Sequence, residues 1–182
     1  GSMGLYGNDP QTFVGAVATS FFGAAIPEEI AKFIMFWLIV RSSRYFDEHM
    51  DGIVYASSVA LGFAALENVM YLISNYESWV SVGITRALFS VPGHFFFGVL
   101  MGYYYSLVRF DPAASRNTRW LVILAPVLAH GAYNSVLFVL DVAPGLSLIL
   151  MVVFLWLCNK LRKYASAKIR EHLVRDGVIV NE

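Results

Sequence analysis

Ala25-Ile-Pro-Glu-Glu-Ile-Ala-Lys-Phe-Ile-Met-Phe-Trp37 sets two carboxylates and an ammonium, Glu28, Glu29 and Lys32, at the head of a run otherwise as apolar as a lipid-facing helix. Each charge placed in hydrocarbon costs about 3 kcal/mol or more, so three so close together call for a function. At about 100° of rotation per residue, Lys32 falls between Glu28 and Glu29 on the helical wheel and reaches both. Pro27 suits the first turn of a helix, where a missing N–H costs nothing.

Outward from this stretch the chain keeps the same character. Of its 182 residues 58% are hydrophobic and only 14% charged, and the mean hydropathy is +0.61, well above that of a soluble domain. Apolar segments fall near residues 12–26, 27–46, 53–75, 82–108, 119–140 and 144–160, most of them close to the roughly 20 residues that cross a bilayer. The expectation is an all-α, polytopic transmembrane bundle of about six segments, with residues 1–182 forming one integral membrane domain. A β-barrel would show alternation in segments of about ten residues instead. Gly98-Val-Leu-Met-Gly102 is a GxxxG pattern that lets a neighbouring helix approach closely. Gly1-Ser2-Met3 reads as an expression scar, and no cleavable signal peptide precedes the first apolar segment.

Lys+Arg and Asp+Glu are equal at 13 each, which gives no reason to expect a nucleic-acid partner; lipid is the expected surroundings. A single cysteine, Cys158, excludes an internal disulfide framework and reads as a passive apolar residue. Arg41, Arg44, Arg109, Arg116, Arg119 and the cluster from Lys160 to Arg175 fall on one side if the six segments alternate, and that side is expected to be cytoplasmic. Both termini then lie in the cytoplasm, and residues 161–182 form an amphipathic tail with a solvated, lipid-touching face. His49 and His172 look incidental in this scheme. Asp51-Gly52 reads as an N-cap and turn.

Depth follows from the rise of about 1.5 Å per residue. Glu28, Glu29 and Lys32 sit in the outermost turns of their segment, Glu67 and Asn68 about 12 Å below the outer surface, His94 about 18 Å, His130 about 15 Å and Asn134 about 9 Å. All converge on the outer half of the bilayer. Arg86 lies at the head of its own segment, in a stripe with Ser90 and His94, and either snorkels to the outer surface or binds a substrate carboxylate. Lys32 reads as the electrostatic partner of the two glutamates.

Carboxylates with two imidazoles inside a membrane suit hydrolysis of a peptide bond, which needs a held and deprotonated water and a donor for the oxyanion. In one arrangement two histidines and a carboxylate, His94, His130 and Glu67, hold zinc or another divalent metal that carries the water. In the other a glutamate activates water directly, and histidine with asparagine stabilises the oxyanion. A proton-coupled transporter would string polar groups through the whole membrane depth, and a non-catalytic scaffold of the same fold is the remaining alternative.

The ordered set Pro27-Glu28-Glu29-Ile-Ala-Lys32, Asp51-Gly52, Gly62-Phe-Ala-Ala-Leu-Glu67-Asn68, His94 and His130-Gly-Ala-Tyr-Asn134 resembles the EExxK, GFAxxEN, H and HxxxN blocks of the PrsW family, intramembrane metalloproteases related to the CAAX prenyl endopeptidases. The resemblance spans roughly residues 25 to 140. It implies a CAAX-protease-like helical fold and a bacterial endopeptidase of the cytoplasmic membrane. The implied substrate is a single-span membrane protein, such as a membrane-anchored anti-sigma factor cut on its outer side. By resemblance Glu28 and Glu29 activate water, His94 and His130 bind metal or the oxyanion, and Glu67, Asn68 and Asn134 complete the site. Family members often have further spans, and no HExxH motif is present.

Overall fold

The computed structural model describes residues 12–114 and 116–179; the Gly1–Met3 scar expected from the sequence lies outside them. Helix α1 spans Phe13–Ala18, α2 Ile26–Val40, α3 His49–Ser74, α4 Trp79–Thr85, α5 Val91–Phe110, α6 Arg116–Val142 and α7 Ser147–Arg175. No strand occurs among the described residues. Three of the described helical stretches are long and apolar enough to cross a membrane: His49–Ser74, Tyr76–Phe110 and Arg116–Val139. Large apolar side chains such as Leu66, Ile73, Leu88 and Val152 point outward from the bundle, as a lipid-facing surface requires.

The first two apolar segments are not separate helices. A π-helical stretch, Thr19–Ala25, joins α1 to α2, so the chain is helical without a break from Phe13 to Val40. The cause is Pro27. It has no N–H to offer the carbonyl one turn back, and the helix answers by widening: Ile26 N–H bonds the Phe21 carbonyl five residues earlier. The same device recurs at Pro92, where a second π-helical stretch, Arg86–Ser90, joins α4 to α5 and Val91 N–H bonds the Arg86 carbonyl. Proline thus prolongs both helices with a shifted register. In consequence the start of α1, which packs with Ala16 against Phe138 and Val139 of α6, lies at the end of the bundle opposite the end of α7. The chain termini, expected on one face, lie outside the described residues.

Small residues decide the central packing. Gly98 and Gly102 of α5 meet Gly52, Ser57 and Ala60 of α3: a Cβ on Gly98 would stand 2.8 Å from Ser57 Cα, and one on Gly102 would run into the Gly52 carbonyl. The backbones touch because nothing intervenes, as the GxxxG pattern leads one to expect. Gly131 of α6 likewise receives the Phe21 ring, which seats α6 on the first π-helical stretch. Asp51 completes a capping box with Glu48 at the start of α3, accepting from the Glu48 N–H at 2.9 Å.

The tail is helical, with one side buried and the other exposed. Residues 161–175 continue α7, and Leu161, Ala165 and His172 are buried against the bundle. Asp176 accepts from the N–H groups of His49 at 2.8 Å and Met50 at 2.7 Å, capping α3 from the far end of the chain, and lies 2.9 Å from His49 Nδ1. His172 stacks on Tyr103, with ring centroids 4.5 Å apart, and its Nε2 donates to the Tyr103 carbonyl at 3.2 Å. Neither histidine is incidental. Both lock α7 to α3 and α5, because a tail half covered by the bundle buries more apolar surface than one lying free.

Candidate active site

Each π-helical stretch leads at once into site residues: Pro27 into Glu28 and Glu29, Pro92 into His94. A widened turn re-aims the side chains after it, which is why such turns recur at functional sites. The other contributors come from the C-terminal half of α3 (Glu67, Asn68), the π-helical stretch before α5 (Arg86) and α6 (His130, Asn134). Glu28, Glu29, Lys32, Glu67, His94 and His130 are all buried.

They form one connected network. Lys32 Nζ donates to Glu29 Oε1 at 2.6 Å and to His94 Nδ1 at 2.8 Å, and lies 3.6 Å from Glu28 Oε2. His130 Nδ1 is 2.8 Å from the same Glu29 oxygen, and Asn134 Nδ2 is 3.0 Å from His130 Nε2. On the other side His94 Nε2 meets Glu67 Oε2 at 2.9 Å. Arg86 donates through Nε to Asn68 Oδ1 at 2.6 Å. Its Nη2 stands 2.9 Å from Glu67 Oε2 but off the line a hydrogen bond needs, so that contact is an ion pair. The partners set both tautomers: an ionised carboxylate only accepts, so His130 carries its hydrogen on Nδ1 and His94 on Nε2. Nδ1 of His94 therefore accepts from Lys32, and Nε2 of His130 accepts from Asn134.

Every site residue read from the sequence enters this network, Arg86 included; the guanidinium lies 3.9 Å from the Tyr71 ring centroid and is turned inward on Glu67 and Asn68. Aromatic walls are what the sequence reading missed. Phe63 lies under the Lys32 ammonium at 4.6 Å, and Phe97 stacks on His130 at 4.7 Å with the planes 13° apart. Phe97 sits one turn beyond His94 on the same helix, a spacing that marks it as a neighbour of the site.

The donor set suits a divalent cation. Among the described residues, Glu28, Glu67 and His94 each offer a ligand atom within 4.8 Å of the other two, two carboxylates and one imidazole of the kind that bind zinc. His130 stands outside that group, paired instead with Glu29 and Asn134. Glu29 Oε2 is buried with no hydrogen-bond partner, a second oxygen with capacity to spare in the same pocket.

Comparison with known proteins points the same way. The family model described as "PrsW family intramembrane metalloprotease" matches residues 2–158. Protease PrsW of Oceanobacillus iheyensis is 39% identical over 140 residues, 76% of this chain and 62% of the relative. That of Geobacillus kaustophilus is 38% identical over 151 residues, covering 83% and 65%. That of Bacillus subtilis is 39% identical over 156 residues, covering 85% and 69%. The chain thus spans less than two thirds of the length of the first two. No solved structure matches. The matched region contains the whole network from Glu28 to Asn134, set in an integral membrane bundle, and the chain belongs to the PrsW family of intramembrane metalloproteases.

Proposed function

We propose that this chain carries the catalytic centre of an endopeptidase that cuts membrane-anchored proteins within the outer half of the bilayer. One observation carries the reading: two adjacent carboxylates, Glu28 and Glu29, are buried in an apolar bundle and tied to Lys32 and His130. A structure keeps such charges out of water only when they are paired and used. The orientation rests on the basic residues. With Arg41, Arg44, Arg109 and the end of α7 in the cytoplasm of a bacterial membrane, the site falls toward the opposite surface and Phe13 lies outside. A single-span substrate, such as an anti-sigma factor, would meet the site there.

In the proposed reaction Glu29 is the fixed member of the pair, since its Oε1 is held by both Lys32 and His130. Glu28 stands farther from the ammonium, at 3.6 Å, and takes a proton from the attacking water. The hydroxide adds to the peptide carbonyl carbon. Asn134, oriented by His130 Nε2, presents its remaining amide hydrogen to the oxyanion, and Glu28 then passes its proton to the leaving amine as the C–N bond breaks. Glu67, His94 and one oxygen of Glu28 would hold a divalent metal such as zinc, leaving the other Glu28 oxygen for the proton; such a metal would lower the pKa of water and polarise the carbonyl.

The test is cleavage of a single-span substrate by purified Glu28→Gln and Glu29→Gln proteins that keep their helical content. Each is expected to lose on the order of 10³-fold in rate. Cleavage retained by both would overturn the mechanism.

A further inference from the structure

The ammonium of Lys32 stands where a metal ion would compete for donors. It is 1% exposed, contacts Glu29 and His94 at 2.6 and 2.8 Å, and lies 3.6 Å from Glu28. Two of these, Glu28 and His94, also belong to the trio with metal-ligand spacing. The charges add up the same way: three carboxylates, Glu28, Glu29 and Glu67, face two cations, Lys32 and Arg86, with both histidines neutral by their tautomers. One negative charge is left over, and Glu29 Oε2, buried and without a hydrogen-bond partner, belongs to that excess. A buried site with surplus negative charge draws in a further cation, whereas a divalent ion set beside an ammonium on shared ligands is repelled.

We propose that Lys32 is the resident cation of this centre and competes with a divalent metal for Glu28 and His94, so that the lysine sets how tightly metal is held. Lys32 stabilises the metal-free bundle by neutralising its carboxylates, and metal enters only as the ammonium gives up His94 Nδ1. The inference concerns the same site as the peptidase reading. Its readout needs neither substrate nor turnover, so the two stand or fall separately.

The experiment uses the full chain in detergent, with zinc and then manganese as the only added probe. Bound metal per chain and the thermal unfolding midpoint are read for the unaltered protein, Lys32→Met, Lys32→Arg and the double variant Lys32→Met/His94→Ala. Lys32→Met is expected to unfold at lower temperature without metal and to regain stability as metal is added. Its affinity should be on the order of 100-fold above that of the unaltered protein. Lys32→Arg keeps the positive charge and should hold metal no more tightly than the unaltered protein, while the double variant should lose the gain. If Lys32→Met does not survive purification without metal, Lys32→Gln and purification in metal-containing buffer give the same comparison. Equal affinity in the unaltered and Lys32→Met proteins, or a gain that survives loss of His94, would overturn the proposal.

Discussion

Glu28 and Glu29 are neighbours in sequence and unequal in the network. Glu29 Oε1 takes both the Lys32 ammonium, at 2.6 Å, and the His130 N–H, at 2.8 Å, whereas Glu28 stands 3.6 Å from Lys32. Substitution by glutamine keeps one acceptor oxygen, replaces the other with a donor NH2 and removes the charge. Glu29→Gln therefore leaves Lys32 buried with its nearest anion gone, a change that costs about 3–5 kcal/mol when one partner of a buried pair is lost. Glu28→Gln is expected to cost less, about 1–3 kcal/mol, because its carboxylate stands farther from the ammonium. Unfolding midpoints of the two variants in the same detergent check this, with Glu29→Gln clearly lower; equal midpoints would mean that the ammonium does not favour one carboxylate. These residues were legible in the sequence because polar groups are conspicuous against an apolar background, and the roughly 3.6-residue period places them on common faces. Phe63 and Phe97 carry no such mark of their own, since an aromatic ring in a membrane helix is ordinary until its neighbour is known.

The two π-helical stretches, Thr19–Ala25 and Arg86–Ser90, are the elements that aim the site, and each owes its place to a proline two residues beyond its end. Sequence alone reads Pro27 as the start of a helix, because a proline in the first turn and a proline after a widened turn look alike when only local signals are available. Packing resolves the ambiguity: the Phe21 ring of the first stretch fills the space above Gly131, a contact between residues far apart in the chain. The widened turn holds one extra residue, and letting it relax to α-helical spacing rotates α2 by about 100° relative to α1. Pro27→Ala restores an N–H at that position and removes the obstacle. The expected result is an unfolding midpoint unchanged or raised and a cleavage rate reduced at least about tenfold, because Glu28 and Glu29 turn away from His130. A midpoint and a rate that both match the unaltered protein would show that the widened turn persists without the proline.

Across the whole molecule the site and the α7 latch occupy opposite ends of one bundle, and the latch, outside the spanning segments, buries an imidazole whose protonation is linked to folding. His172 is fully buried, and burial, reinforced by the nearby His49 and Arg175, holds its imidazole at about 4, below the usual 6.5. Burial pushes the Asp176 carboxyl up, but hydrogen bonds from Met50 and His49 outweigh it and hold the group below its ordinary 3.8. Glu171 is likewise lowered: burial opposes the shift, and Tyr103, Lys168 and Arg175 together prevail. The signs differ in where they act. For His172 the unfolded tail binds a proton more readily than the folded one, so its contribution to stability is full above pH 6.5 and is lost as pH falls toward 4. The two carboxyls keep their contribution until pH falls below their ordinary values. Burial disfavours the Lys168 ammonium, yet its bonds to Tyr103 and Glu171 raise it on balance, so its share is threatened only on the alkaline side. Between pH 7 and 5 the latch should therefore weaken through His172. The sequence could not reveal this, because the charged tail reads as a solvated face and the contact that buries it joins His49 to Asp176 across 127 residues. Amide hydrogen exchange along residues 161–175 is expected to speed up by about tenfold on going from pH 7 to 5, after correction for the intrinsic pH dependence of exchange, while the helices around Glu29 and His130 keep their protection. His172→Phe, which keeps a ring stacked on Tyr103 and has nothing to protonate, should abolish the pH response; an undiminished response in that variant would move the switch to the His49–Asp176 pair.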